Sequence, residues 1–234
     1  MFNFSDLLLE QLTLELRFEN AFLYIDKCGS ILRDIFAKYP SATAESVAVN
    51  ETKIVLPDTQ ISLAFSPARI VLNQQYPSGI SDIGEFGDFA IDRICKTLEI
   101  SAYTRVGNRF IYILKIDDEK ESLELMKNTG FFNIPQEKVS QMGDTLKSAN
   151  IKFQITRDDE VGYGISLGHV NRTLNLLQLP KPIKYDASKF ILSGLAVDVD
   201  FYTMKPVDSG NVKAHELIKK NIKDMESLIS GLLK

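Results

Sequence analysis

Two pairs of charged residues hold the chemistry that this sequence could perform. Asp198 and Asp200 flank Val199 within a β-rich run over residues 190–204. On a strand they project from one face with Cα atoms roughly 6.5–7 Å apart, close enough to share a divalent cation. Arg105 and Arg109 share a face of a second β-rich run, ISAYTRVGNRFIYILKI, over residues 100–116. Their guanidinium forks suit bidentate recognition of a carboxylate or phosphate. The aspartates point to Mg²⁺-dependent phosphoryl-transfer or nuclease-like chemistry, and the arginines to a pocket for an acidic ligand. A third arrangement satisfies both pairs: if the two runs lie near each other, the arginines neutralise the aspartates as an ion-pair network. That arrangement is preferred, because no ligand motif accompanies either pair.

The remaining candidates are weaker. The D-x-D element resembles the metal-binding strand of nucleotidyltransferases, but those enzymes carry a Gly-Ser turn and a helix before it. Here Ser193-Gly194 falls inside the run and a Pro180-Lys181-Pro182 loop precedes it. Gly79, Gly84 and Gly87 stand near a helix start without the Gly-Lys-Ser/Thr of a phosphate loop, and Asp82, Glu85 and Asp88 would repel phosphate. Helix capping is the better reading. His169 follows Gly168 at an expected turn, and His215 lies in the first turns of the last helix. Neither has a patterned nucleophile beside it, so both read as surface histidines. Cys28 and Cys95 lack a CxxC partner and read as reduced, partly buried thiols.

Composition narrows the function classes. The 234 residues are 44% hydrophobic and 25% charged, the profile of an ordinary globular protein. A formal charge of −4 argues against a main task of gripping nucleic acid, since that affinity grows with the phosphates neutralised. The first twenty residues have no basic n-region and place Asp6 and Glu10 around the apolar run, so no signal peptide or membrane span is expected, and the location expected is cytoplasmic. No cofactor motif is present.

Periodicity supplies the elements that must position these residues. Leu12, Leu14, Leu16 and Phe18 alternate with polar residues over 11–18, the pattern of a half-buried strand. Helical spacing follows over 22–39, then short strands over 46–49, 53–56, 60–65 and 69–72, as in an antiparallel meander. A helix over about 82–98 leads into the 100–116 run. Gly107-Asn108 inside that run carries a hairpin signal, but a hairpin would mix charged and apolar groups on each face. One long strand is preferred, with Ala102, Thr104, Val106, Phe110, Tyr112, Leu114 and Ile116 on an apolar face broken only at Asn108. Its length predicts a bend or bulge at Gly107. A charged connector follows Ile116. A helix is then expected over 135–150 with Val139, Met142 and Leu146 inward, strands over 151–157, 161–167 and 171–179, the 190–204 run, and a terminal helix over about 211–232.

The expected fold is therefore α+β, a large, mainly antiparallel sheet with packed helices. Residues 1–118 and 119–234 read either as two similar α+β halves or as one continuous domain. The strand LELRF at 14–18, the strand Arg105-Val106-Gly107-Asn108-Arg109-Phe110, and Asp198-Val199-Asp200 before a terminal amphipathic helix occur in that order. In these features the chain resembles a sporadically distributed bacterial family of uncharacterised proteins. It departs in having Phe110-Ile111-Tyr112 where such proteins carry Tyr-Ile-Asn. The resemblance implies a mobile or accessory function. The expected function is a non-catalytic binding or assembly protein, in a defence or toxin-neutralising system, with a protein partner or a second copy. The alternative is the Mg²⁺-dependent enzyme centred on Asp198 and Asp200.

Overall fold

The computed structural model describes residues 4–130, 133–143, 145–157, 159–173 and 191–232. Alternation of Leu12, Leu14 and Leu16 with polar residues makes β1 (Leu7–Arg17), which buries all three leucines completely. After α1 (Tyr24–Lys38) come four short strands, β2 (Thr43–Val47), β3 (Thr52–Leu56), β4 (Ile61–Phe65) and β5 (Arg69–Gln75). Helix α2 (Ser81–Leu98) leads to β6 (Ala102–Tyr103) and β7 (Arg105–Lys115). Then follow α3 (Glu119–Asn128), α4 (Gln136–Gly143), β8 (Asn150–Arg157), β9 (Val161–Thr173), β10 (Ile191–Thr203), β11 (Val207–Asp208) and α5 (Ala214–Leu232).

Nine strands form one sheet in the order β2-β3-β4-β5-β1-β7-β10-β9-β8, every neighbour antiparallel, and β6 pairs separately with β11. The α+β class and the antiparallel sheet expected from the sequence are both present. The sheet continues across the 118/119 boundary, because β10, from the second half, pairs with β7, from the first. One core serves both halves. Leu14, Phe110 and Val199 of the sheet pack in it with Ile35 of α1, Phe86 of α2 and Ile218 of α5. Burying each such side chain stabilises the fold by about 1.5–3 kcal/mol.

Several expectations need correction. No bulge falls at Gly107: β7 keeps its register with β1 from Arg105 to Ile111 and pairs with β10 as far as Gly107, and the interruption falls at Thr104. The irregularity in this pairing lies instead in β1, between Leu9 and Gln11. Strands expected over 161–167 and 171–179 are continuous as β9 up to Thr173; residues 174–179 and the 180–182 loop lie outside the described residues. His169 is thus inside a strand rather than at a turn. A Cβ at Gly168 beside it would meet the exposed Asn150 side chain, which can swing away. Helix α4 is only two turns long, which leaves Met142 exposed although Val139 is buried.

Gly84 and Gly87 do not cap α2, which begins after Ile80 with no side-chain cap. They let the start of α5 approach. A Cβ at Gly84 would sit 2.9 Å from His215 Cγ, and one at Gly87 would sit 2.9 Å from Ala214 Cβ and 2.7 Å from Leu72 Cδ2. Both neighbours are buried in the core, and the Ala214 methyl has no rotamer by which to move aside. Replacing a helix glycine by alanine gains about 0.5–1 kcal/mol of helix propensity, whereas overpacking a core costs about 1–3 kcal/mol. Gly87→Ala is therefore expected to lower stability by about 1–2 kcal/mol in urea denaturation; a variant as stable as the parent would show that α5 is not held this closely.

Candidate functional site

Strand β7 lies between β1 and β10, and its alternation gives it two chemically distinct faces. On one face the guanidinium of Arg105 lies over Gly107, where a Cβ would come within 3.3 Å of its Nη1. Glu15 on β1 and Tyr202 on β10 stand directly opposite Gly107. Arg105 Nη1 accordingly donates to Glu15 Oε2 at 2.8 Å, its Nη2 donates to Asp200 Oδ2 at 2.9 Å, and its Cζ sits 4.9 Å from the centre of the Tyr202 ring. Gly107, the third residue of β7, leaves the space over which this guanidinium lies.

Arg109 completes the network. Its Nε and Nη2 donate to Asp198 Oδ1 and Oδ2 at 2.8 and 2.6 Å, a bidentate fork on a strand carboxylate. That hydrogen-bonded fork raises the Arg109 pKa. Burial pushes the Asp200 carboxyl above the usual carboxylate range, against the opposing pull of Arg105. All four charged residues singled out in the sequence therefore meet, as the ion-pair arrangement requires. Among the described residues no three His, Cys, Asp or Glu side chains are grouped to hold a metal ion.

The opposite face of the same strand carries a different feature. Asn108 stands directly across from Leu14 on one side and Phe201 on the other, and Phe201 stands across from Tyr163 on β9. Along β7 its neighbours on this face are Val106 and Phe110, both buried. Asn108 is itself 1% exposed, and neither its amide nitrogen nor its amide oxygen has a hydrogen-bond partner among the described residues. It borders a cleft of about 620 Å³ between the sheet and α5. Phe201 and Tyr163 line the same cleft from the sheet, with ring centres 5.8 Å apart, and Lys220, Asn221 and Asp224 line it from the helix.

Of these three helix residues only Asn221 turns inward, beside the stripe of Ile218, Met225 and Ile229 that α5 buries in the core, while Lys220 and Asp224 stay exposed at the rim. Asn221 is 8% exposed. Ligand pockets commonly enclose about 300–1,000 Å³ with a few convergent polar groups on apolar walls, and the cleft matches that description. Sequence reasoning marked Asn108 only as a break in an apolar face. That break was the available signal; Asn221 and the cleft need the packing of α5 to become visible.

Four further groups, His169, Cys28, Cys95 and Glu10, have internal partners. His169 lies between Ser122 Oγ, 2.8 Å from Nδ1, and Ser193 Oγ, 3.3 Å from Nε2, which tie α3 and β10 to β9. It is a bridging residue, not the surface histidine expected. Cys28 contacts Thr52 Oγ1 at 3.0 Å, and Cys95 contacts the Tyr103 hydroxyl at 2.9 Å, where burial raises the thiol pKa. Glu10, at the β1 irregularity, is 4% exposed and pairs with Arg172 at 2.8 Å. Burial raises its pKa too.

No protein-family model matches the chain, and no curated protein matches its sequence. The site therefore stands on its geometry. An unpartnered buried amide costs about 1–3 kcal/mol, whereas an apolar side chain of similar shape does not. Asn108→Leu is expected to raise stability by about 1–2 kcal/mol in the absence of ligand, read as a higher melting temperature; a lower one would mean the amide has a structural partner. Asp200 binds its proton more tightly in the folded chain than in the unfolded one. Its contribution is thus fully present below its unfolded pKa of about 3.9 and is lost as pH rises through the folded value. Asp200→Asn should flatten the fall in stability just above that pH, and an unchanged pH profile in denaturant titrations would contradict the burial assigned to this carboxyl.

Proposed function

We propose that the protein is a non-catalytic binding protein whose small-molecule ligand lodges in the cleft between α5 and the β7-β10-β9 floor. The single observation that carries this reading is the buried amide of Asn108, unpartnered among the described residues, at the wall of a cleft of about 620 Å³. Retaining an amide among Leu14, Val106, Phe110 and Phe201 is unfavourable unless another molecule supplies its hydrogen bonds. A ligand group with a donor beside an acceptor would satisfy both ends at once.

The charged face supports a structural role for Arg105, Arg109, Asp198 and Asp200. Each guanidinium is engaged by carboxylates and each aspartate by an arginine, so the Mg²⁺-dependent alternative draws no support from this geometry. A cytoplasmic setting and a role in a bacterial defence or toxin-neutralising system belong to the same proposal, and of these only the second draws on the sequence resemblance.

Benzamide, which joins an amide to an aromatic ring, is a direct probe. In ligand-observed NMR at millimolar concentration it is expected to bind the parent protein and to lose binding in the folded Asn108→Leu variant. Equal binding to both proteins, or to neither, would refute the assignment of the cleft.

A further inference from the structure

We infer that the ligand of this cleft is a neutral nucleobase, free or as its nucleoside, held edge-on by two asparagines and against aromatic rings. The inference rests on the binding role proposed for the cleft and names the chemistry that its walls select.

Two asparagines line the cleft from opposite sides, Asn108 from the sheet and Asn221 from α5, and both are at least nine-tenths buried. A carboxamide presents one donor and one acceptor side by side. Its natural complement is an edge that presents the same pair, as the N6/N7 edge of adenine does when read by Asn. Nucleobases carry such pairs on more than one edge, so two amides facing one cleft suit a planar ring better than a single-ended amide.

The remaining lining supports the same class. Phe201 and Tyr163 offer π-surfaces beside Asn108, and base-aromatic contacts of this kind are tolerant of which base is present. Charge separates a base or nucleoside from a nucleotide. The cations that line the cleft, Arg157 and Lys220, are matched by two anions, Glu160 and Asp224. The lining therefore has no net positive charge with which to favour a phosphate, unlike sites that recognise phosphate through arginine forks or helix N-termini. A neutral ring keeps that balance.

The test is isothermal titration of the parent protein, Asn108→Leu and Asn221→Leu with adenine, cytosine, their nucleosides and their 5′-monophosphates, with ribose and benzamide as controls. A good bidentate contact contributes about 1–3 kcal/mol of discrimination. Binding of at least one base or nucleoside, weakened about 10- to 100-fold by each substitution, with ribose silent and the monophosphate no tighter than its nucleoside, would support the inference. The free base and the nucleoside arms distinguish the two sources of the ring. Benzamide binding without any base or nucleoside would overturn the inference and leave the cleft as a site for another amide-reading ligand. A base or nucleoside that binds both variants as tightly as the parent would overturn it as well. So would a monophosphate more than about tenfold tighter than its nucleoside. Should Asn108→Leu fail to fold, the Asn221→Leu arm still decides, because Asn221 is on the other wall.

Discussion

Strand β7 is paired without a slip from Gly107 to Lys115 on its β10 side, and from Arg105 to Ile111 on its β1 side. A strand's side chains alternate between faces, so a shift of one residue would exchange everything it presents. The observed register puts Arg105, Gly107 and Arg109 toward Glu15, Asp198 and Asp200. It puts Asn108 toward Phe201 and the cleft, and Phe110 into the core. The ion pairs and the cleft are thus two consequences of one pairing. The wrong register would bury the arginines beside Leu14 and Leu16, where unpaired charge costs several kcal/mol.

The charged network reinforces that register without being the main source of stability. Arg109 and Asp198 form a good bidentate pair, but half of the Arg109 side chain is exposed, and partly exposed pairs contribute at most about 1 kcal/mol. Arg105 is better shielded, at 26% side-chain exposure, and bridges three adjacent strands. Its value is in specificity: Glu15, Gly107 and Asp200 accommodate it only when β1, β7 and β10 are correctly aligned. Desolvation raises the Asp200 pKa against the attraction of Arg105, as expected where charges are withdrawn from water. Stability comes mainly from the shared core under α1, α2 and α5.

Much of this was legible in the sequence, for a physical reason. Period-2 alternation in β1 and the apolar stripes of α1, α2 and α5 reflect burial, which acts locally on residue type. The neighbouring positions of the 100–116 and 190–204 runs were legible because opposite charges on two long strands gain by meeting. Gly107 suggests a bulge in the sequence, whereas in the fold it sits in an unbroken register under the Arg105 side chain, a contact that backbone preference does not reveal. Gly84 and Gly87 were misread, since the helix that needs their space lies about 130 residues away in sequence. Gly168 suggests a turn before His169, but a glycine is compatible with strand backbone too, and both residues lie within β9. Asn108 was noticed but not understood: whether a buried amide has a partner depends on strands and a helix from both ends of the chain.

The central claim is that the Asn108 amide is satisfied by a bound molecule rather than by the protein. Side-chain NH₂ resonances of asparagine report this directly. In ¹⁵N-labelled protein, with the Asn108 pair assigned by its loss in Asn108→Leu, titration with adenosine should shift that pair in proportion to occupancy of the cleft, together with the Asn221 pair. Saturating addition of nucleoside, free base and benzamide that leaves the Asn108 resonances unmoved would contradict the account.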